Sequence, residues 1–279
     1  MKNNEKFLKK ITSLKETISY EKALYLNALY KKSPYPLSKN FLPTGWHWIY
    51  FNEDINHFQL GSDGHPKRGS FFPKLVGYKR MWGGSEIEFL APIKYGFKIK
   101  KTSYLENVEK KGKNNNIFLA KIKHLYKKSN KVLINEIQNI VFVRKNYLSK
   151  KIYLNREIKQ AKLLSKKKYV LDNIMLFRYS ALTYNSHKIH YDFEYTRNIE
   201  GYNNLLCHGP LLATLILNQI SFLIRKKIKN FSFRAIKPVF VNEKFEIFIY
   251  KSSTDKYFEI VLQKVRKKET AVIAKAISF

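Results

Sequence analysis

Apolar residues near the N-terminus recur every three or four positions. Phe7, Leu8, Ile11, Leu14 and Ile18 stand among lysines, a spacing that predicts an amphipathic helix over the first 30 residues. Ser33-Pro34-Tyr35-Pro36 then breaks the chain. Residues 41–85 (GWHWIYF, GSDGHPKRGSFFP, RMWGG) read as tightly packed loops around one short helix, with Trp46 and Trp48 covering a core edge. From Glu86 to Phe142 the period shortens to two: EIEFLAPIKYGFKIKKTSYLENV, NIFLAKIKHLYKK and KVLINEIQNIVFVRK alternate apolar and polar positions between turn clusters, the pattern of an antiparallel meander. The second half opens on a strand-like apolar run, YVLDNIMLFRYSAL, and the polar cluster TYNSHKIHYDFEYT. The turn GYNNLLCHGP leads into an apolar helix at 211–224, and three strand-like runs follow it. One buried helix backed by a meander is an α+β layer pair.

The meander occurs twice. Aligning Pro92 with Pro238 lays EFLAPIKYGFKI over RAIKPVFVNEKFEI: an apolar run, a Pro-aliphatic pair, a turn and renewed alternation. Proline removes a ladder donor, so each copy marks a strand edge or bend. Between the copies, Lys145 to Lys168 carries nine Lys or Arg against the single acid Glu157. The expected organisation is therefore an N-terminal half at 1–145, a solvated basic linker at 146–168 and a C-terminal half at 169–279.

Composition narrows the class. Among 279 residues, 15% are aromatic, which argues against disorder, and a single cysteine excludes a disulfide framework or a Cys-rich zinc module. The N-terminus lacks a continuous apolar stretch, Glu5, Glu16 and Glu21 speak against a transit peptide, and 211–224 is too short to span a bilayer. A cytoplasmic protein without a membrane partner is expected. The net charge of +32 would attract polyanions. Yet 44 of the 53 basic residues are Lys, an excess that AT-rich codons produce without any function, and no RNP-like or KH motif is present. Nucleic acid is therefore not the favoured partner; an RNA-binding α+β protein is the non-enzymatic alternative.

The densest polar group within apolar sequence is Tyr184-Asn185-Ser186-His187-Lys188-Ile189-His190-Tyr191-Asp192. His190 has a side-chain type that exchanges protons near neutral pH. Gly209, ahead of Pro210 at the start of an apolar helix, lets a ligand carbonyl approach backbone N–H groups where the helix dipole favours negative charge. His208 reads as a brace for the turn and Asp192 as a partner of local backbone N–H groups. His187, beside Lys188, reads either as part of an exposed turn or as an assisting group. His187, His190 and Asp192 are closely spaced, but no further ligand set accompanies them, so no metal site is expected.

TYNSHKIHYD with HGPLLATL, and FRAIKPVF after it, resemble the MaoC-like hydratase/dehydratase branch of the hot-dog fold, nearest the mesaconyl-C4-CoA (3-methylfumaryl-CoA) hydratases and the type 2 hydroxyacyl-thioester dehydratases. GHPKRGSFFPKLVGYKRMWGGSEIEFLAPI resembles the N-terminal, fatty-acid-synthase-type dehydratase half of those proteins, so the resemblance covers roughly residues 40–279. It implies a double hot-dog, two repeats of a helix wrapped by an antiparallel β-sheet, and a hydro-lyase acting across the α,β double bond of an enoyl-CoA. The substrate is acyl-CoA, mesaconyl-C4-CoA among the candidates, or acyl-ACP in fatty-acid synthesis. No cofactor is implied, since CoA is part of the substrate; a homodimer is compatible. The family's catalytic His maps onto His190, its Asp onto Asn185 and its intervening Asn onto His187. Asn185 can hold a water but cannot take its proton, which leaves the general base open and makes a non-catalytic CoA-binding protein a further alternative. Gly209 N–H would bind the thioester carbonyl, His187 or Tyr184 would assist, and Arg80, Arg234 and Lys79 are candidates for carboxylate or phosphate contacts.

Overall fold

Alternating sequence in both halves folds into antiparallel strands, ten among the described residues, whose buried side chains gather into two core clusters. The computed structural model describes residues 8, 10–30, 37–67, 71–72, 75, 77–111, 117–144, 162–252 and 257–279. The strands are β1 (Ile11–Thr17), β2 (Tyr78–Phe89), β3 (Lys98–Lys111), β4 (Ile117–Lys128), β5 (Lys131–Arg144), β6 (Lys162–Tyr169), β7 (Ile228–Ala235), β8 (Phe245–Lys251), β9 (Tyr257–Lys264) and β10 (Thr270–Ser278). Three α-helices lie wholly within the described residues: α1 (Tyr20–Asn27), α2 (Asn173–Leu182) and α3 (Gly209–Ile224). All ten strands join one sheet, in the order β1-β3-β4-β5-β2-β7-β10-β9-β8-β6. That order is a palindrome of two five-strand units, joined where β2 pairs β7 from Gly84↔Arg234 to Glu88↔Asn230.

Equivalent hydrogen bonds recur in both units. After β2, Leu90 and Ala91 both donate to Leu133 O (2.9 and 3.2 Å); after β7, Ile236 and Lys237 both donate to Ala271 O (2.8 and 3.2 Å). Leu42 N–H donates to Ile93 O, as Cys207 N–H does to Val239 O. The Pro92/Pro238 alignment is thus a structural equivalence. It places the 3-10 turn Trp46–Ile49 where α3 begins in the second unit. The central helix is full length only in the second unit: Leu211 to Ile220 are all buried, and each such Leu or Ile contributes about 1.5–3 kcal/mol. Trp46 meets this helix, donating from Nε1 to Asn218 Oδ1 at 2.8 Å.

Three segments differ from the sequence expectation. Residues 11–17 are strand, paired from Ile11↔Tyr104 to Thr17↔Lys98, and α1 follows it after Ser19, whose Oγ accepts from Lys22 N–H. The apparent helical spacing joined residues with unlike fates, for Ile11 is 67% exposed and Ile18 fully buried. The apolar run after Tyr169 forms α2 rather than a strand, because Asp172 caps it by accepting from Met175 N–H at 2.9 Å. The basic segment also divides. Lys162–Tyr169 is the edge strand β6, paired with β8, so the second half's sheet begins at Lys162 and not at 169. Lysines on an edge strand deter further pairing. Residues 145–161 of the expected linker lie outside the described residues.

The first unit buries a carboxylate. Glu136 accepts from Ser85 Oγ (2.8 Å), Trp48 Nε1 (3.1 Å), Tyr126 OH (3.2 Å) and His47 Nε2 (3.3 Å). Burial pushes its carboxyl up. The His47 hydrogen bond, the nearby His47 and His124 rings and the Ser85 bond outweigh that and hold it at about 2. A depressed carboxyl stabilises the fold above its ordinary pKa and loses that contribution as pH falls. Glu136→Ala is expected to lower stability by about 3 kcal/mol near neutrality, because four donors lose their acceptor. Urea midpoints should show wild type and variant converging as the pH is lowered towards 2.

Candidate active site

The segment after α2 is held by its own backbone before any side chain acts. Asn185 N–H donates to Ser180 O, and Asn185 Oδ1 accepts from His187 N–H at 3.0 Å. A 3-10 turn, Lys188–His190, then carries His190 inward. Leu206 N–H donates to Ile189 O (2.9 Å), and His190 Nδ1 donates to Leu206 O (2.8 Å). A carbonyl can only accept, so His190 carries its proton on Nδ1 and a lone pair on Nε2. Burial lowers its pKa to about 4, only partly opposed by the Leu206 bond, so the ring is a neutral acceptor at pH 7.

His190 belongs to a run of imidazoles. His208 stacks on it with centroids 3.6 Å apart and planes 19° apart, and is itself fixed by Ser180 Oγ at 2.8 Å from Nε2. Burial first, then the neighbouring His190, pushes His208 well below its ordinary value. It braces the turn, as its sequence position suggested. His187 meets His190 edge-on, with centroids 5.6 Å apart, and His65 lies 3.9 Å from His187. Burial, then His65, His190 and Arg80, push His187 far down. His187 is buried, so the exposed-turn reading gives way to a place inside the cluster.

One cavity of about 910 Å³ is lined by Asn185, His187, His190, Gly209, Arg80 and Arg234. Gly209 opens α3, whose N-terminus has no side-chain cap, so its first amides and the helix dipole are directed at this space. The Trp82 ring presses on Gly209: a Cβ there would lie 2.9 Å from Cε3. Trp82 stands edge-on to both Trp48 and Phe233 and donates to Ser85 Oγ, so the buried Glu136 network supports the wall over Gly209. Tyr184 does not join the others. It sits at φ +50 just after α2, 69% exposed and outside the cavity lining, because the chain must turn sharply there to free Asn185. Lys79 lines the cavity but is engaged with Glu200, donating to its carbonyl and facing its carboxylate at 3.8 Å.

Sequence reasoning missed Asp63, His65 and Trp82. The GSDGHP turn was visible as an ordered loop, but nothing local ties it to a segment 122 residues away. The tie is steric and polar. Gly64 O accepts from Ser186 Oγ at 2.6 Å, and Asp63 O accepts from Lys188 N–H at 3.0 Å. Gly64 has φ +82, and a Cβ there would fall 1.8 Å from Ser186 O, so only glycine permits the contact. Asp63, His65 and His187 each place one ligand-type atom within 4.8 Å of the others. The His65 and His187 ring centroids lie 3.9 Å apart with the planes tilted by 50°. Asp192 accepts from Tyr195 N–H at 2.9 Å and faces Lys188 Nζ at 3.7 Å.

A neutral imidazole and an uncapped helix N-terminus lining one cavity, inside a double hot-dog, define an acyl-thioester hydro-lyase of the MaoC-like class. The comparisons agree. The family model of hydroxyacyl-thioester dehydratase type 2 matches residues 45–241, and the chain belongs to that family. It is 34% identical over 206 residues to mesaconyl-C(4)-CoA hydratase of Chloroflexus aurantiacus, covering 74% of this chain and 73% of that protein. It is 25% identical over 239 residues to the mitochondrial hydroxyacyl-thioester dehydratase type 2 of Schizosaccharomyces pombe, covering 75% and 77%. Among solved structures, HtdX of Mycobacterium tuberculosis superposes with a TM-score of 0.71 at 14% identity, covering 97% of this chain and all of that one. A second M. tuberculosis protein, described as a double hotdog fold, gives 0.62 at 9% identity, covering 97% and 96%. Among the described residues, no helix is long and apolar enough to cross a membrane.

Gly209→Ala tests the wall. The added methyl must displace Trp82, and a shift of about 1 Å at a reacting centre typically costs about 10²-fold in rate. We expect a loss of that order in kcat/KM for an enoyl thioester, with circular dichroism unchanged.

Proposed function

We propose that this protein adds water across the α,β double bond of a short-chain enoyl-CoA, or removes it from the 3-hydroxyacyl-CoA, with short branched dicarboxylic acyl groups of the mesaconyl-C4 type as the favoured substrates. The observation that supports this reading is that His190, with its proton held on Nδ1, and Gly209 at the start of α3 line one cavity. The thioester oxygen accepts from Gly209 N–H, where the α3 dipole stabilises enolate-like charge; one such donor is worth about 3–4 kcal/mol in activation energy. Asn185 donates to the oxygen of the attacking water and orients it, and Nε2 of His190 takes the proton. Dehydration reverses the order. The reaction uses side chains and backbone alone, with CoA as part of the substrate.

Arg80 and Arg234 line the same cavity and serve a second carboxylate on the acyl group. Arg80 is the nearer to the chemistry, because its charge is felt by both Asp63 and His187. The lysine-rich surface attracts the phosphates of CoA; an acyl-carrier-protein thioester is the second reading, since carrier proteins are acidic and the field of +32 assists docking equally. One chain supplies both hot-dog units, so the site is complete without a homodimer. The lone cysteine, Cys207, is buried and free, which suits a reducing compartment such as the cytoplasm.

The experiment follows the loss of enoyl-thioester absorbance with CoA and carrier-protein forms of mesaconyl and crotonyl groups. His190→Ala should lower kcat about 10²–10⁴-fold, the worth of a placed base. Because burial holds the free His190 imidazole near 4, kcat/KM should stay flat as pH falls through the ordinary histidine range and drop only near pH 4. An inert wild type, or a His190→Ala variant as fast as wild type, would overturn the reading.

A further inference from the structure

The sequence places RMWGG among loops, but residues 80–84 belong to β2, the strand that joins the two units. Further along β2, Ser85, Ile87 and Phe89 are buried, every second residue. At that period Trp82 would face outward. The ladder shows why it does not: Trp82 pairs with Ile140 and Gly84 with Asn139, so Gly83 is an extra residue, a β-bulge. One added residue exchanges the two faces of a strand. Trp82 therefore shares the inner face with Ser85, donating from Nε1 to its Oγ at 3.2 Å. A Cβ on Gly83 would lie 2.6 Å from Val141 Cγ2, and one on Gly84, at φ +143, 2.0 Å from Phe233 O. The bulge thus requires its two glycines, and it aims the indole.

Aimed inward, Trp82 stands between the units. Ile140 of β5 is opposite it on the first unit's side. On the other side Phe233 of β7 meets it edge-on, with centroids 4.9 Å apart, and its Cε3 faces Gly209. The indole packs against both core clusters. The smaller cluster, in the first unit, contains Ile122 and Ile140 and is covered by Phe71 and Phe72; all four also line the cavity of about 910 Å³ that holds His190 and Gly209. That size is near the top of the roughly 300–1,000 Å³ range of sites for drug-sized ligands, more room than a short acyl group needs. The first unit has the space because its helical turn ends at Ile49. Polar side chains on this side are already engaged. Ser103 Oγ bonds His124 Nδ1 at 2.7 Å, His124 Nε2 bonds Gln138 Oε1 at 3.2 Å, and Lys101 lies over the Tyr126 ring at 5.8 Å. Burial, with Lys101 nearby, holds His124 neutral, at about 3.

We propose that Trp82 is the specificity-determining residue for acyl length: it is the stop between the catalytic groups and the apolar lobe of the first unit, and it confines turnover to short-chain enoyl thioesters. The stop is held on several sides. Ser85 accepts from its Nε1 and itself donates to Glu136 at 2.8 Å, while Trp48 stands edge-on to it at 5.5 Å. A side chain fixed in this way discriminates by clash: a longer acyl tail meets the indole before it reaches Ile122 and Ile140. With the indole removed, the lobe behind it is apolar enough to reward each further methylene.

This inference rests on the hydratase reading, and its test separates the two. Wild type and variants are assayed on decenoyl-CoA and on a short ester, crotonyl- or mesaconyl-CoA, that wild type turns over. Wild type should favour the short ester strongly. Trp82→Ala should raise the decenoyl-to-short ratio of kcat/KM by about 10²-fold or more, each methylene admitted to the lobe being worth about fourfold. The ratio cancels any loss that affects all substrates alike, and a loosened fold does not create activity on long chains. Trp82→Phe keeps a ring in place and should keep the short-chain profile. Ile140→Trp added to Trp82→Ala refills the lobe and should cancel the gain. Should Trp82→Ala not fold, Trp82→Leu should move the ratio in the same direction. The stop is overturned if wild type turns over decenoyl-CoA as well as the short ester. It is equally overturned if the ratio stays at its wild-type value in folded Trp82→Ala or Trp82→Leu, or if the gain survives Ile140→Trp. Wild type inert on every enoyl thioester removes this inference and the hydratase reading together, whereas active wild type with an unmoved ratio in the variants removes the stop alone.

Discussion

The molecule is organised by the burial of one helix. From Leu211 to Ile220, α3 presents no solvent face, so it is stable only where a curved sheet encloses it. That enclosure dictates the position of its N-terminus, the one part of the helix whose amides cannot be satisfied internally. No side chain caps it. The sheet therefore delivers a set of oriented N–H groups, with the positive end of a dipole, to a space shielded by Trp82 and Phe233. In such a space an electrostatic contact is worth more than in water, and the donors are already oriented when charge develops.

The two units have divided their labour. Their strand order, the paired donations at Leu133 O and Ala271 O, and the matched bridges Phe41↔Lys94 and Leu206↔Phe240 show one plan used twice. The second unit kept the helix. The first reduced it to Trp46–Ile49, and its interior accommodates polar side chains around Glu136 instead of an apolar helix. Those side chains are not idle: Glu136 fixes Ser85 and Trp48, and these position Trp82 over Gly209. The length of chain that no longer forms a helix became the loop that carries Asp63 and His65 to the other unit's cavity.

Much of this was legible in the residues. The period-two runs gave the meander strands, and the Pro92/Pro238 correspondence gave the duplication, because strand alternation and a proline bend are local signals. His190, Asn185 and Gly209 were brought together by the resemblance of TYNSHKIHYD and HGPLLATL to the MaoC-like family rather than by any spacing rule. The failures were of two kinds. Ile11 to Thr17 and the run after Tyr169 were misassigned because short apolar spacings fit either period, and the caps Ser19 and Asp172 decided the outcome. Tyr184 was drawn in by proximity to His190, though its turn sends it outward. The His65 contact was out of reach for a different reason: it depends on a glycine with no room for a methyl group meeting a backbone carbonyl 122 residues away, and no spacing rule encodes that.

The charge of the chain and the charge of its site follow opposite rules. A net +32 spread over a lysine-rich surface acts at long range and is screened beyond about 8 Å at physiological ionic strength, so it can attract a polyanionic carrier but cannot set a protonation state inside the cavity. Within, desolvation dominates: it leads the causes that depress His187, His190 and His208, keeping three adjacent imidazoles neutral. Neutral rings can stack at 3.6 Å without repulsion, which is what lets His208 hold His190 in place. A carboxylate placed among them would have charged the nearest ring. Asn at position 185 preserves that neutrality, and the carboxylate of Asp63 stands one ring further out, 3.7 Å from His65 Nδ1.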